Sequence, residues 1–301
     1  MTYSIVARDQ KTGQLGVAVQ SHYFSVGPVV PWARAGVGAV ATQSMVEVSY
    51  GPIGLDMMAG GKSAKETLES LLKTDAKAET RQVGMVDSKG VVATHTGSRC
   101  IDFAGQSVGE GFSCQANLMR NDTIWGAMEK AYLNNSDLEF SERLVSTLEA
   151  AEEAGGDVRG KQSAAILIVS PNLYPNPWMG RLLELRVEDS SRPLEELKRL
   201  VKLKRGYEWA EKGDDLLSSG KIKESSEAYA RALEYAPENE EILYWKGITM
   251  LASSLQEEGR RILVEVFKKN KSWVQVTRSL IDKGYVTNNE ALQKLIGRND
   301  S

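Results

Sequence analysis

The residue with the most to offer chemically is Thr2. A small residue after Met1 is the condition under which methionine aminopeptidases remove the initiator, so the mature chain is expected to begin at Thr2. A leading threonine carries a nucleophilic hydroxyl and a free α-amine on adjacent carbons. An unperturbed α-amine titrates at about 7.7–8.0, so part of it is uncharged near neutral pH and can take the hydroxyl proton. One residue would then supply both nucleophile and base, and no histidine is needed. The reading draws its weight from context: a strand-like run starts immediately after Thr2 and a hairpin returns to it.

Other side chains could take part. His95, in Thr94-His95-Thr96, is either a general base or a hydrogen-bonded strand-end residue. Arg99 could hold a substrate carboxylate bidentately, or pair with Asp102. Cys100 is a conceivable nucleophile, but small buried residue is its better reading. Gln115 and Asn117 alternate after Cys114 and suit either a polar pocket or the pairing of buried backbone groups. Lys161-Gln162-Ser163 opens a strand and could reach the same pocket. With two histidines and two cysteines, no zinc site, and more generally no metal or other cofactor, is expected. A Cys100–Cys114 disulfide is conceivable, though reduced thiols in a cytoplasmic protein are the expectation. No phosphate-loop pattern or dinucleotide fingerprint occurs, and Gly36-Val37-Gly38 reads as close strand packing.

The elements that would position these residues fall into two halves. The first 120 residues hold 15 of the 27 glycines, whereas 31 of the last 97 residues are charged. A turn-rich domain over 1–190 and a charged helical one over 191–301 are therefore expected, with the boundary in Glu188-Asp189-Ser190-Ser191-Arg192-Pro193. In the first half, strands are predicted over 3–8, 15–20, 36–44, 82–87, 91–96, 163–169 and 182–187. Helices are predicted over 51–59, 63–73, 123–133 and 141–154, and Ser63 with Glu66 makes a capping box. Several strands are apolar on both alternate faces, so both faces should be buried. An α+β fold with two stacked sheets and a helix layer outside each, a four-layer α-β-β-α sandwich, satisfies that pattern.

In the second half Trp209, Gly213, Leu216, Gly220, Tyr229, Ala232 and Pro237 follow tetratricopeptide spacing. Gly247, Met250, Leu263 and Val266 return 34 residues after Gly213, Leu216, Tyr229 and Ala232. Two copies are fewer than the roughly three that stand alone, so this unit should lean on later helices over 272–283 and 290–295 or on the first domain. Such a unit is an interaction scaffold, with a protein partner as its expected ligand and Trp209, Tyr229 and Trp245 as core.

Net charge is −3, so no nucleic-acid partner is indicated. No basic segment precedes a long apolar run and no stretch reaches the roughly 18 apolar residues of a membrane span. A cytoplasmic protein without a membrane partner is the expectation.

The blocks MTYSIVARDQKTGQLGVAVQSHYFSVGPVVPWARAGVGAVATQS, YGPIGLD, HTGSRCIDFAG, GFSCQANL and GGDVRGKQSAAILIV, in this order, resemble an uncharacterised domain-of-unknown-function family, number 1028. That family is placed in the N-terminal nucleophile (Ntn) hydrolase superfamily, with proteasome subunits, penicillin acylases and aspartylglucosaminidases. The resemblance covers about residues 1–190. It implies the α-β-β-α sandwich, cleavage of a small amide or peptide-like substrate, and homo-oligomerisation. It places the nucleophile at Thr2 and an orienting group at Gln20 or Ser21, where relatives usually have a carboxylate. The third strand offers Thr42, Gln43 and Ser44 in place of the proteasome lysine. On the resemblance, Thr2 would attack the substrate carbonyl while backbone N–H groups or the amides of Gln43 and Asn117 hold the oxyanion. The rival expectation is a non-catalytic binding or assembly protein whose repeats recruit the partner.

Overall fold

The structure is a computed structural model that describes residues 2–251, 253–286 and 290–298. The chain divides into two compact units, Met1–Val201 and Lys202–Ser301. The division falls inside a continuous helix, α5 (Pro193–Ser218).

The first unit is built from two antiparallel sheets. Strands β1 (Thr2–Arg8) and β2 (Leu15–Ser21) form the expected hairpin, with Thr2 opposite Ser21 and Arg8 opposite Leu15. Its turn is closed by the Asp9 carboxylate, which accepts from the Thr12 N–H at 2.8 Å, and by Gly13 at φ 73°. The other strands are β3 (Pro31–Arg34), β4 (Gly38–Ser44), β5 (Arg81–Asp87), β6 (Val92–Thr96), β7 (Gly105–Gly109), β8 (Phe112–Asn117), β9 (Ser163–Val169) and β10 (Arg181–Val187). One sheet has the order β10-β9-β2-β1-β8-β7, the other β3-β4-β5-β6. Sequence reasoning missed β3, β7 and β8. The first two are short edge strands: β3 opens with a proline, tolerated there, and β7 is Gly-Gln-Ser-Val-Gly, with little apolar signal.

Alternation sorts the side chains into layers. Tyr3, Ile5 and Ala7 of β1 face a cluster with Phe112, Met128 and Leu144, supplied in part by helices α3 (Ile124–Asn134) and α4 (Phe140–Glu153). Val6 faces the other way, into Val17, Val19, Ala39, Ala41 and Val86, where the two sheets meet. The far face of the second sheet, with Val40, Val83 and Met85, packs on α1 (Tyr50–Ala59) and α2 (Ala64–Thr74) through Tyr50, Leu55 and Leu68. Burial on both faces is why these strands read as unbroken apolar runs.

The second unit is helical: the end of α5, then α6 (Ile222–Tyr235), α7 (Glu240–Leu251), α8 (Gln256–Lys269), α9 (Ser272–Asp282) and α10 (Glu290–Arg298). The in-phase glycines have one structural meaning. A Cβ on Gly213 would meet the Tyr229 ring at 2.9 Å, and a Cβ on Gly247 would meet Leu263 at 2.8 Å. Each glycine lets the helix sixteen residues later approach closely. Tyr229 is fully buried, and Trp209 and Trp245 pack against the helical cores, as expected of them. No described helix is long and apolar enough to cross a membrane.

Candidate functional site

Antiparallel connection brings seven strand ends to one edge of the two sheets. Thr2 begins β1 between Ser21, which ends β2, and Asn117, which ends β8. On the facing sheet Ser44 ends β4 opposite Arg81, which begins β5, and Gln82 lies opposite Thr96, which ends β6. Ser163 begins β9 opposite Ser21. Thr2 is 4% exposed, and its Oγ1 lies 3.0 Å from Ser21 Oγ, with either oxygen able to donate.

Between the sheets behind Thr2 lies a layer of buried amides and hydroxyls. Gln82 is its hub. Its Nε2 donates to Thr96 Oγ1 (2.9 Å) and to the main-chain oxygens of Gly105 (3.2 Å) and Ala116 (2.8 Å). Its Oε1 accepts from Gln43 Nε2 (2.7 Å) and Asn117 Nδ2 (2.8 Å). Those two nitrogens also donate to the Thr2 carbonyl, at 3.2 and 3.4 Å. Gln43 Oε1 accepts from Ser4 Oγ (2.6 Å), Ser4 accepts from Gln115 Nε2 (2.7 Å), and Gln115 Oε1 accepts from Ser113 Oγ (3.0 Å). Gly84 makes room for this layer, because a Cβ there would lie 2.5 Å from Gln115 Oε1. All these side chains are neutral, so Thr2 has an uncharged, preorganised floor.

Thr2, Ser21, Gln43, Gln115 and Asn117 are thus joined in one hydrogen-bonded network, Gln115 through Ser4. Three expected site residues are not. Gln20 lies opposite Tyr3, one step out of phase with Thr2, so its side chain takes the α3–α4 face. Both its polar atoms are buried without a partner among the described residues. His95 lies opposite Val83, whose face packs on α1 and α2, and its Nε2 is 2.8 Å from the Ala78 carbonyl. Arg99 is largely exposed and pairs with Glu79 at 3.3 Å, in place of Asp102. Lys161 pairs with Glu152 (3.2 Å), the carboxylate that accepts from the Tyr3 hydroxyl on the helix face. Both cysteines are free thiols. Cys100 is partly buried and donates to the Arg81 carbonyl, and burial pushes the Cys114 thiol well up. Gln82, Ser4 and Ser113 escaped sequence reasoning. Ser4 alone carried a local signal, a polar residue inside the apolar run of β1, whereas Gln82 begins β5 beside Arg81 and Ser113 shares its face of β8 with Gln115 and Asn117.

The loops around this edge carry strain and apolar surface. Among the described residues, four non-glycine residues have positive φ: Ser25 (56°), Ser44 (72°), Phe103 (52°) and Leu118 (54°). Ser25 follows β2, Ser44 ends β4, Phe103 precedes β7 and Leu118 follows β8, so all four flank the Thr2 edge. Strain of this kind concentrates where function over-determines the backbone. The same loops leave Tyr23, Phe24, Met45 and Phe103 at least half exposed. The 97–104 loop is tied down by bonds from Leu118 N to Ile101 O and from Met119 N to Phe103 O, both 3.3 Å.

Arg81 braces the rim from below. Its guanidinium donates to Asp75 (2.7 Å) and to the Met45 carbonyl (2.6 Å), while its own carbonyl accepts from Gly97 N–H (2.9 Å). The hydrogen bond from Arg81, aided by the Lys77 N–H, holds the Asp75 carboxyl down at about 2. A depressed carboxyl stabilises the fold fully above its unfolded value of about 4 and loses that contribution as pH falls through the folded value. Asp75→Asn is therefore expected to lower the melting temperature at pH 7 and to flatten its fall between about pH 4 and 2. Parallel melting curves for the two proteins across that window would refute the assignment.

Among the described residues, no three His, Cys, Asp or Glu side chains gather as a metal site. No curated protein matches the sequence. Among solved structures, the chain is similar to the crystal structure of a Silicibacter pomeroyi protein that carries the DUF1028 family model. The TM-score is 0.60 and the identity 28%, over 67% of this chain and 88% of that one. A family model matches residues 2–197, the segment holding both sheets and every residue of the amide layer, and by that match the chain belongs to DUF1028, a family of unknown function.

Proposed function

We propose that the first unit is an Ntn-type amidohydrolase whose nucleophile is Thr2 after removal of Met1, a residue that lies outside the described ones. The observation that carries this reading is a threonine at the head of a central strand, with Oγ1 3.0 Å from a serine hydroxyl, on a buried neutral amide layer. The succession of helices, sheet, sheet and helices supports the superfamily's α-β-β-α sandwich.

The chemistry balances within one residue. The uncharged α-amine takes the Oγ1 proton as Oγ1 bonds to the substrate carbonyl carbon. The C–N bond then breaks, and the departing amine leaves with that proton. Water, deprotonated by the same α-amine, attacks the resulting ester. The C–Oγ1 bond breaks, Oγ1 regains a proton, and a carboxylic acid departs. The side-chain N–H groups of Gln43 and Asn117 already have acceptors in Gln82 and in the Thr2 carbonyl. Oxyanion stabilisation therefore falls to backbone N–H groups. The exposed Tyr23, Phe24, Met45 and Phe103 around the edge favour an amide with an apolar acyl group.

The test uses β-lactones, which acylate activated threonine. Intact mass should show Met1 absent, and a β-lactone with a phenylpropyl side chain should add one acyl group to the peptide beginning at Thr2. A methyl β-lactone should react about tenfold more slowly, as several lost apolar methylenes would cause. Retention of Met1, or acylation elsewhere, defeats the reading. A second reading, an assembly protein whose tetratricopeptide-like repeats recruit a protein partner, draws on the paired Gly213–Tyr229 and Gly247–Leu263 packing. Retention of Met1 is the outcome that favours it.

A further inference from the structure

The orientation of the amides behind Thr2 is fixed from outside the layer. Main-chain oxygens can only accept, so the contacts of Gln82 to Gly105 and Ala116 identify the Gln82 atom facing them as Nε2. Gln82 Oε1 must then face Gln43 and Asn117, and both must present nitrogen to it. The Thr2 carbonyl, also only an acceptor, requires the same of both nitrogens. Asn117 therefore has no freedom to flip, and its Oδ1 bonds no member of the layer. That oxygen is buried and has no partner among the described residues. In this layer Ser4, Gln43, Gln82, Ser113 and Gln115 are all satisfied. Asn117 Oδ1 is the one acceptor left over, on the register partner of Thr2.

Removal of Met1 changes the donor count at that position. A peptide nitrogen at Thr2 has a single N–H, whereas a free α-amine has two and an ammonium three. We infer that Asn117 Oδ1 accepts a hydrogen bond from the α-amine of processed Thr2 and so acts as the positioning residue of the base. The inference rests on the hydrolase reading above. It also accounts for the residue type. Asparagine orients the amine without adding charge, whereas a carboxylate would hold it as ammonium and withhold the lone pair needed to take the Oγ1 proton.

The experiment is the pH dependence of Thr2 acylation by the phenylpropyl β-lactone, measured by intact mass on full-length protein shown to lack Met1. Asn117→Asp should move the rise in rate to higher pH by about one unit, since a carboxylate beside an amine raises its pKa. Asn117→Leu, of similar size and without the acceptor, should acylate about tenfold more slowly at every pH, as loss of a positioned base would cause. A purely structural role would lower rates without displacing the profile of Asn117→Asp. Superimposable wild-type and Asn117→Asp profiles, or a wild-type rate for Asn117→Leu, would overturn the inference while leaving the hydrolase reading standing. Absence of Thr2 acylation in the wild-type protein would overturn both. Should the variants fail to fold, a crystal structure of the wild-type chain without Met1 decides. Thr2 N within about 3.2 Å of Asn117 Oδ1 supports the inference, and a separation beyond hydrogen-bonding range refutes it.

Discussion

Thr2→Ala is expected to lose β-lactone acylation and amide turnover by about four orders of magnitude or more, the scale seen when a covalent nucleophile is deleted. Alanine is also small, so Met1 is still removed and the α-amine remains. The variant therefore separates the hydroxyl from everything else at the chain start. The fold should survive, because the only described side-chain bond lost is the 3.0 Å contact to Ser21, worth about 1 kcal/mol. Thr2→Ser keeps the hydroxyl and should retain measurable acylation. Thr2→Ala with undiminished turnover would assign the chemistry to another residue. The next to test would then be Ser21, the other hydroxyl in that pair.

The second large effect is on stability. Gln82→Leu is expected to cost about 3–5 kcal/mol in equilibrium urea unfolding, because it strands several buried groups at once. The carbonyls of Gly105 and Ala116 lose a donor, and the amide nitrogens of Gln43 and Asn117 lose an acceptor. Leucine has nearly the right volume, so the loss measures hydrogen bonding and not a cavity. Thr96→Val removes one contact to the same amide and should cost about 1 kcal/mol. A Gln82→Leu variant within about 1 kcal/mol of the wild type would mean that water serves this interior in place of the amide and that the floor under Thr2 is not preorganised.

Legibility in the sequence tracked the range of the interaction involved. The β1–β2 hairpin could be read because turn chemistry at residues 9–14 separates two apolar runs, and α2 because Ser63 and Glu66 cap it locally, as they do in the structure. The glycine repeat of the second half was legible because close helix approach recurs at a fixed interval. His95 and Gln20 were misplaced for one shared reason. Both sit at strand ends near the right edge, but a strand alternates faces every residue, so proximity along the chain to a site is no guarantee of facing it. Gln82 was missed because nothing local marks it: its partners lie 14 to 39 residues away.

The sequence by itself determined that Thr2 could do chemistry, where seven of the ten described strands and helices α1 to α4 lie, and that several strands are buried on both faces, since composition, period and capping act within a few residues. Only the tertiary structure decided which of those residues meet. Strand order and register pair Thr2 with Ser21 and Asn117, bring Gln43 and Gln82 across from the facing sheet, and turn His95 and Gln20 outward. The physical reason is that a buried amide's partners are set by pairing between distant segments, and the same polar residue in the next position along a strand would face another layer entirely.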